Sequence, residues 1–217
     1  MLDFNFAASP DQPLTVLCLG AHSDDLEIGC GGTILKLLHR HHQVRVHWTV
    51  FCSSGPRKQE AEAGAARFLA GAKEARVSVL EFRDGFLPYL GGEVKDHFEQ
   101  LKAQVDPDLI FTHYRHDLHQ DHRLVCELTW NTFRDHLILE YEIPKYDGDL
   151  GQPNLFVRLD RELAGRKIQH LMDTFASQRG KGWFDAATFE ALLRLRGVES
   201  QAPEGLAEAF YCRKIAF

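Results

Sequence analysis

The 217-residue sequence predicts an α/β fold, a Rossmann-like arrangement in which a mostly parallel sheet has helices on both faces. Two observations predict it. Short apolar runs rich in β-branched residues alternate with amphipathic segments through the first two-thirds of the chain. Polar, titratable residues follow each apolar run, as is typical where parallel strands lead into helices. Since no repeat, low-complexity tract or linker interrupts the pattern, residues 1–217 are expected to form a single domain.

The first four strands and their helices follow from changes in the hydrophobic pattern. A buried parallel strand is a short, nearly continuous apolar run, whereas a helix covering a sheet has apolar residues every three or four positions. By this criterion the strands are LTVLCLG (14–20), HQVRVHWTVFCS (42–53), ARVSVLEF (75–82) and DLIFTH (108–113). The helices between them are IGCGGTILKLLHRHH, RKQEAEAGAARFLAG and GGEVKDHFEQLKAQV.

The last third of the chain follows a different pattern. DHRLVCELTWNTFRDH predicts a helix and LILEYEI a further strand, and the polar segment YDGDLGQPN is rich in turn-forming residues. After NLFVRLD, helices are expected near 160–176 and 184–196, with the loop SQRGKGW between them. AFYCRKIAF is expected to close the chain as a strand.

The composition is that of a soluble globular protein. Apolar residues make up 44% of the chain, charged residues 26%, and the formal net charge is -6. This balance does not indicate the basic face that binds nucleic acid or an anionic membrane. No stretch approaches the roughly 20 apolar residues of a membrane span, and MLDFNFAASPDQP lacks the features of a signal peptide. The five scattered cysteines are interpreted as buried thiols of a reducing compartment, so a cytoplasmic protein is expected.

Residues capable of binding a metal lie after the first and fourth strands. AHSDDLEIGCGG provides His22, Asp24 and Asp25, and DLHQDH provides two more histidines, His119 and His122. Adjacent carboxylates repel each other, and a divalent cation would relieve that repulsion. Zinc prefers histidine nitrogens and carboxylate oxygens, and catalytic sites leave it one open position for water. The alternative is that the acids near each helix start are N-caps and that His122 is a polar first-turn residue.

The same residues carry a family resemblance. AHSDDLEIGCGGTI together with DLHQDHR resembles the two motifs of the PIG-L/LmbE family of zinc-dependent N-acetylglucosamine deacetylases. RKQEA and RDG resemble further family segments, and KIQHLMDTFASQ does so imperfectly, because Phe175 stands where histidine is common. Ser23 replaces the usual proline of the first motif, which loosens the turn but removes no ligand.

The resemblance implies a specific set of roles. His22, Asp25 and His122 would hold one Zn²⁺ per chain, although another divalent transition metal suits the same donors. Asp24 would be the general base that takes a proton from the metal-bound water. His119, oriented by Asp121, would stabilise the oxyanion or protonate the leaving amine.

Further residues are candidates for contact with the substrate, which the resemblance implies is a small acetamido sugar. They are Arg57, Asp84, Lys145 and Trp183, and Asp117 is expected to order its loop or support a metal ligand. For Arg57 a structural pairing with Glu60 or Glu81 is an equal alternative. Family members are often oligomeric, so a homo-oligomer is compatible with the resemblance.

Other functions remain open at this point. They are hydrolysis of another small amide and a non-catalytic module that binds metal or sugar. A dinucleotide-binding oxidoreductase is disfavoured, because the first turn lacks G-x-G-x-x-G and carries acids where a pyrophosphate would lie.

Overall fold

A computed structural model describes residues 13–41 and 43–216 of the chain. In this part the strands are β1 (Leu14–His22), β2 (Val44–Cys52), β3 (Glu74–Val79), β4 (Leu109–His113), β5 (Ile138–Tyr141), β6 (Leu155–Leu159) and β7 (Leu206–Cys212). The α-helices are α1 (Asp25–Arg40), α2 (Pro56–Phe68), α3 (Gly91–Gln104), α4 (Gln120–Thr132), α5 (Arg161–Thr174) and α6 (Ala186–Glu199). Short 3-10 turns occupy Leu87–Leu90 and Ala176–Gln178.

The seven strands form one sheet in the order β3-β2-β1-β4-β5-β7-β6. Strands β1 to β5 pair in parallel, and β7 runs antiparallel to both of its neighbours. The chain moves outward from β1 to β3 and then crosses to the other side of β1 to form β4. The strand order therefore reverses between β1 and β4, and ligands of such sheets bind at the carboxyl ends of the strands at this point. The predicted α/β, mostly parallel fold is confirmed.

Two apolar cores cover the two faces of the sheet. One core packs β1 and β2 side chains such as Val16 and Trp48 against α1, α2, α5 and α6. The other packs Leu17, Leu19 and Phe51 against α3 and α4, with Phe98 at its centre. Successive residues of β1 thus point to opposite layers, as strand geometry requires.

Helix α1 lies unusually close to its neighbours because three of its residues are glycines. A Cβ atom added to Gly29 would lie 2.2 Å from the ring of Tyr141, and one added to Gly31 would lie 2.5 Å from the ring of Phe68. Such distances are far inside van der Waals contact, so these positions accept only hydrogen. The close packing fixes the N-terminal end of α1 against the end of β1.

The structure differs from the sequence prediction at the C-terminal side of the sheet. Strand β6 was not predicted, and β7 begins and ends earlier than AFYCRKIAF indicates. The N-terminal segment 1–12, which was expected not to be a signal peptide, lies outside the described residues. Within the described ranges, no helix combines the length and apolar character needed to cross a membrane.

Candidate metal centre

The centre of the site is formed where β1 and β4 end. His22 is the last residue of β1, and a two-residue turn leads from it to Asp25, the first residue of α1. Asp24 occupies the N-cap position of α1, but its side chain makes no capping hydrogen bond. The capping interpretation of Asp24 therefore fits its position and not its contacts. From the other chain segment, α4 brings His122 to the same place, so residues 100 positions apart come into contact.

Three side-chain atoms form a nearly equilateral triangle. Nδ1 of His22 lies 3.1 Å from Nε2 of His122 and 3.3 Å from Oδ2 of Asp25. Nε2 of His122 lies 3.5 Å from the same Oδ2. Ligand atoms bound to zinc at 2.0–2.1 Å with tetrahedral angles are about 3.3–3.4 Å apart. The donor types and their spacing therefore fit one tetrahedral cation with a fourth position left open.

A further histidine belongs to this cluster. His113, the last residue of β4, is fully buried, and its Nε2 lies 3.2 Å from Oδ2 of Asp25. The amide of Ala21 donates a hydrogen bond to the same Nε2 at 2.9 Å. His113 was missed in the sequence because it stands in an apolar strand without a motif. Its position at the end of a strand, matching that of His22, is the signal that could have found it.

Burial and mutual contacts set the protonation of the triangle. Burial lowers the pKa of His22, but the adjacent Asp25 raises it well above its usual value. Burial raises the pKa of Asp25, yet His122, His113 and His22 together bring it well below the usual range. For His122, burial and the neighbouring His113 lower the pKa to about 3. An ionised Asp25 and a neutral His122 are the forms in which these residues bind metals.

A second layer of polar residues orients His122. Its Nδ1 lies 2.9 Å from Oδ2 of Asp117, which is buried and accepts a hydrogen bond from Nζ of Lys145 at 3.0 Å. Lys145 also donates to Asp149, and Asp149 accepts a hydrogen bond from the amide of Leu118 at 2.7 Å. The support role expected of Asp117 matches these contacts. Lys145 was expected to bind substrate, but its side chain is 9% exposed and is engaged by two carboxylates, so its contacts are those of a supporting residue.

Asp24 is held on one side only. Its Oδ1 accepts a hydrogen bond from Arg57 at 3.0 Å, whereas its buried Oδ2 has no partner among the described residues. Burial and the negative charge of Asp25 raise the pKa of Asp24 to about 6, although Arg57 opposes the shift. The alternative pairing of Arg57 with Glu60 or Glu81 is not seen, because Arg57 contacts Asp24 and Asp84 instead.

His119 and Asp121 contact each other, and the contact involves the backbone of Asp121. His119 is the N-cap residue of α4, and its Nδ1 accepts a hydrogen bond from the backbone amide of Asp121. The carboxylate of Asp121 turns away and accepts hydrogen bonds from the amides of Gly85 and Leu87. Gly85 has φ of +79°, which L side chains rarely adopt and which aims its amide at this carboxylate. Asp121 thus orients His119 through its backbone rather than through its carboxylate.

The last two substrate candidates differ in whether they contact the cluster. Oδ1 of Asp84 is 3.1 Å from Nε2 of His22, and this hydrogen bond lowers the pKa of Asp84 to about 2. Its side chain is 61% exposed, so Asp84 lies at the mouth of the site. Trp183 packs against Phe184, with Lys181 over its ring, and its described contacts are not with the histidines.

Comparison with solved structures identifies the fold. N,N'-diacetylchitobiose deacetylase from Pyrococcus horikoshii is 19% identical, with a TM-score of 0.70, covering 96% of this chain and 87% of that one. The zinc-inhibited form of teicoplanin deacetylase Orf2 is 13% identical, with a TM-score of 0.70 and coverages of 91% and 97%. GalB, the 4-carboxy-2-hydroxymuconate hydratase from Pseudomonas putida KT2440, is 16% identical, with a TM-score of 0.71 and coverages of 94% and 98%.

The sequence itself matches a family model over residues 17–133, which is more than half of the chain. That model describes PIG-L, the GlcNAc-PI de-N-acetylase family. The matched span runs from β1 to the end of α4 and includes every member of the histidine and carboxylate cluster. The chain belongs to the PIG-L family.

Proposed function

We propose that the protein is a zinc-dependent N-deacetylase that removes the acetyl group from an N-acetylated sugar or sugar conjugate, producing acetate and a free amine. Membership of the PIG-L family and a fold shared with deacetylases support a hydrolase of carbon–nitrogen bonds other than peptide bonds. The observation that carries the proposal is the triangle of His22, Asp25 and His122, whose donor atoms lie 3.1–3.5 Å apart.

An amide is a poor electrophile, so its hydrolysis needs both an activated carbonyl and an activated water. A divalent cation held by His22, Asp25 and His122 would polarise the carbonyl and lower the pKa of water at the open position. The proton then needs an acceptor beside that position. Asp24 suits this role, because Arg57 holds Oδ1 while the buried Oδ2 has no partner among the described residues. Asp24 is accordingly the general base in this proposal.

His119 is suited to donate a hydrogen bond or a proton to the substrate. Since its Nδ1 accepts the Asp121 amide, a neutral His119 carries its proton on Nε2, which is the nitrogen left to act on substrate. A donor at this place stabilises the oxyanion of the tetrahedral intermediate or protonates the leaving amine. His119 is only partly buried, and its ring centroid lies 4.7 Å from that of His22, so it lines the opening beside the cluster.

The remaining assignments complete the proposal. Asp84 and Arg57, which contact each other, are proposed to bind sugar hydroxyls, and Trp183 is proposed to offer a stacking surface. Lys145 is proposed to act on substrate only indirectly, through Asp117 and His122. The five cysteines are free thiols, which supports a cytoplasmic, reducing location. A homo-oligomer and the single-domain organisation of residues 1–217 remain predictions.

The test is acetate release from a panel of N-acetylated sugars before and after chelation and restoration of zinc. We expect release that chelation abolishes and zinc restores. Because the fold also occurs in a hydratase, the panel includes 4-carboxy-2-hydroxymuconate as an alternative substrate. Hydration without any deacetylation, or sugar binding without acetate release, would overturn the proposed reaction.

A variant separates the general base from the metal ligands. Asp24→Asn should lower turnover by about 10²–10⁴-fold, the usual contribution of a general base. Its zinc content should remain close to that of the unmodified protein, since Asp24 is not among the three proposed ligands. Turnover that survives this substitution would show that another group takes the proton.

A further inference from the structure

The two ring nitrogens of His22 face two different sets of donor atoms. Nδ1 points to the triangle with Asp25 and His122. Nε2 lies 3.2 Å from Oδ2 of Asp121 and 3.1 Å from Oδ1 of Asp84. The proposed function uses only the first side of the ring.

A thiol completes the second set. Cys52 is the last residue of β2 and is the register partner of His22 on the adjacent strand. Ligand atoms of His22, Cys52 and Asp121 all lie within 4.8 Å of one another, and all three residues are buried. The Sγ of Cys52 lies 3.9 Å from the carbonyl oxygen of Arg83, a long contact that leaves the sulfur available.

We propose that Nε2 of His22, Sγ of Cys52 and the carboxylates of Asp121 and Asp84 form a second cation site, selective for thiophilic divalent metals. The proposal shares His22 with the metal centre of the proposed function but does not depend on deacetylation. One nitrogen, one sulfur and two oxygens match the donor preferences of zinc and cobalt. The solvent exposure of Asp84 provides an entry path for the ion.

The geometry needs little rearrangement. The two contacts of Nε2 with carboxylate oxygens, 3.1 and 3.2 Å, are close to a tetrahedral ligand spacing of about 3.3 Å. A sulfur ligand bound at about 2.3 Å lies about 3.6 Å from the other ligand atoms. Because the Cys52 sulfur lies within 4.8 Å of the ligand atoms of His22 and Asp121, it needs to approach them by about 1.2 Å at most. A single carboxylate near Nε2 would be the usual partner that orients a metal-bound histidine. Two carboxylates on the same nitrogen, with a buried thiol within 4.8 Å of the ligand atoms of His22 and Asp121, go beyond that need.

Binding of an ion at this second site requires the release of two protons, so we expect the site to fill only after the triangle. The ion must displace the thiol proton of Cys52 and the proton on Nε2 of His22, because only the deprotonated groups bind. The triangle needs no such double release, so it fills first. At excess metal the second ion would hold Asp84 and Nε2 of His22 while the first ion holds Nδ1 of the same ring, and we expect the second ion to inhibit turnover.

Cobalt titration of the metal-free protein tests the site without reference to activity. We expect two ions per chain by elemental analysis after gel filtration, the second bound more weakly. The second equivalent should produce the near-ultraviolet charge-transfer absorption of a cobalt–thiolate bond. One ion per chain, with no such absorption, would overturn the proposal.

Matched variants assign the absorption. Cys52→Ser should abolish the charge-transfer band and the second ion while retaining the first, whereas Cys126→Ser, which removes another buried thiol, should retain both. Asp84→Asn changes an exposed side chain, so it should fold normally and weaken the second ion alone. A band that persists in Cys52→Ser, or second-ion binding unchanged in both Cys52→Ser and Asp84→Asn, would contradict the assignment.

Discussion

The cluster around Glu208 and the candidate metal centre are both buried on this sheet, and they differ in whether the hydrogen bonds of their charged side chains are satisfied. In the first, Lys167 donates to Glu208 at 2.6 Å, and the other oxygen of Glu208 accepts from both the amide and the hydroxyl of Thr33 at 2.6 Å. In the second, the candidate metal centre, Oδ2 of Asp24 and Nδ1 of His113 have no partner among the described residues. Both clusters are almost fully buried, so burial alone does not distinguish them.

This difference indicates how a buried charged cluster that serves the fold can be distinguished from one that serves function. A satisfied pair ties elements together, here α1, α5 and β7, at little net gain in stability. A crowded group of acceptors with unpaired atoms is costly unless something else binds there. The two clusters should therefore respond in opposite ways to substitution, one through stability and the other through metal content.

The largest expected effect comes from the triangle. Asp25→Asn keeps the size of the side chain but removes its charge, so the site should lose its metal and acetate release should fall by at least about 10³-fold. Metal content after dialysis and acetate release measure this. Its matched control is Asp24→Asn, the neighbouring carboxylate, which should keep the metal. Equal metal content in the two variants would remove the distinction between ligand and base.

The next effect concerns the satisfied cluster. Lys167→Met leaves Glu208 buried without its cation, and we expect the free energy of unfolding to fall by about 3–5 kcal/mol. Denaturant titration measures the loss, and zinc content per folded chain should not change. The double variant Lys167→Met with Glu208→Gln should recover part of the loss. A variant that instead lost zinc while remaining stable would break the comparison.

A smaller effect is expected at Lys145, which forms a buried ion pair and also supports a proposed metal ligand through Asp117. Lys145→Met removes the cation that holds Asp117, which in turn orients His122, so zinc affinity should fall about 10–100-fold. Competition with a chromogenic chelator measures the affinity. Lys145→Arg, which keeps the charge, should restore part of it. A rise in KM with unchanged zinc affinity would return Lys145 to the substrate role predicted from the sequence.

The smallest effect is expected at Trp183, which is proposed to stack on the substrate. Trp183→Leu should cost about 1 kcal/mol of substrate binding, the usual value of one aromatic contact, and so raise KM about fivefold with kcat unchanged. Steady-state kinetics on the best acetylated sugar measure it. Trp130→Leu is the control, because Trp130 lies on α4 and donates to Glu140. An equal change in both variants would indicate a loss of folding rather than of stacking.

The sequence was sufficient for features that depend on local pattern. Strands β1 to β4 follow from short runs rich in apolar and β-branched residues, and six residues of the proposed site follow from two short motifs. His113 could not be found in this way, because only the pairing of β4 with β1 brings it to Asp25. Strand β6 was missed for a related reason, since its five residues at the sheet edge are mixed in character and depend on β7 for their hydrogen bonds.

The orientation of polar groups was also beyond the sequence. Asp121 was expected to orient His119, but the sequence did not indicate that the backbone amide of Asp121 makes this contact while its carboxylate accepts the amide of Gly85, which has a positive φ. Lys145 lies in a turn-rich segment and was a candidate for contact with the substrate. Whether a long cationic side chain points outward or folds back on a buried carboxylate depends on tertiary neighbours such as Asp117.

The contact between Gly29 and the Tyr141 ring has a consequence for the evolution of the site. The candidate metal centre combines residues of two distant segments, the turn before α1 and the start of α4. The distance between α1 and the sheet is set by the contact of Gly29 with the Tyr141 ring, and neither residue is a proposed ligand or base. Even alanine at position 29 would lift the helix that carries Asp25 away from the sheet. Loss of catalysis can therefore arise from one added methyl group, at a residue with no chemistry of its own.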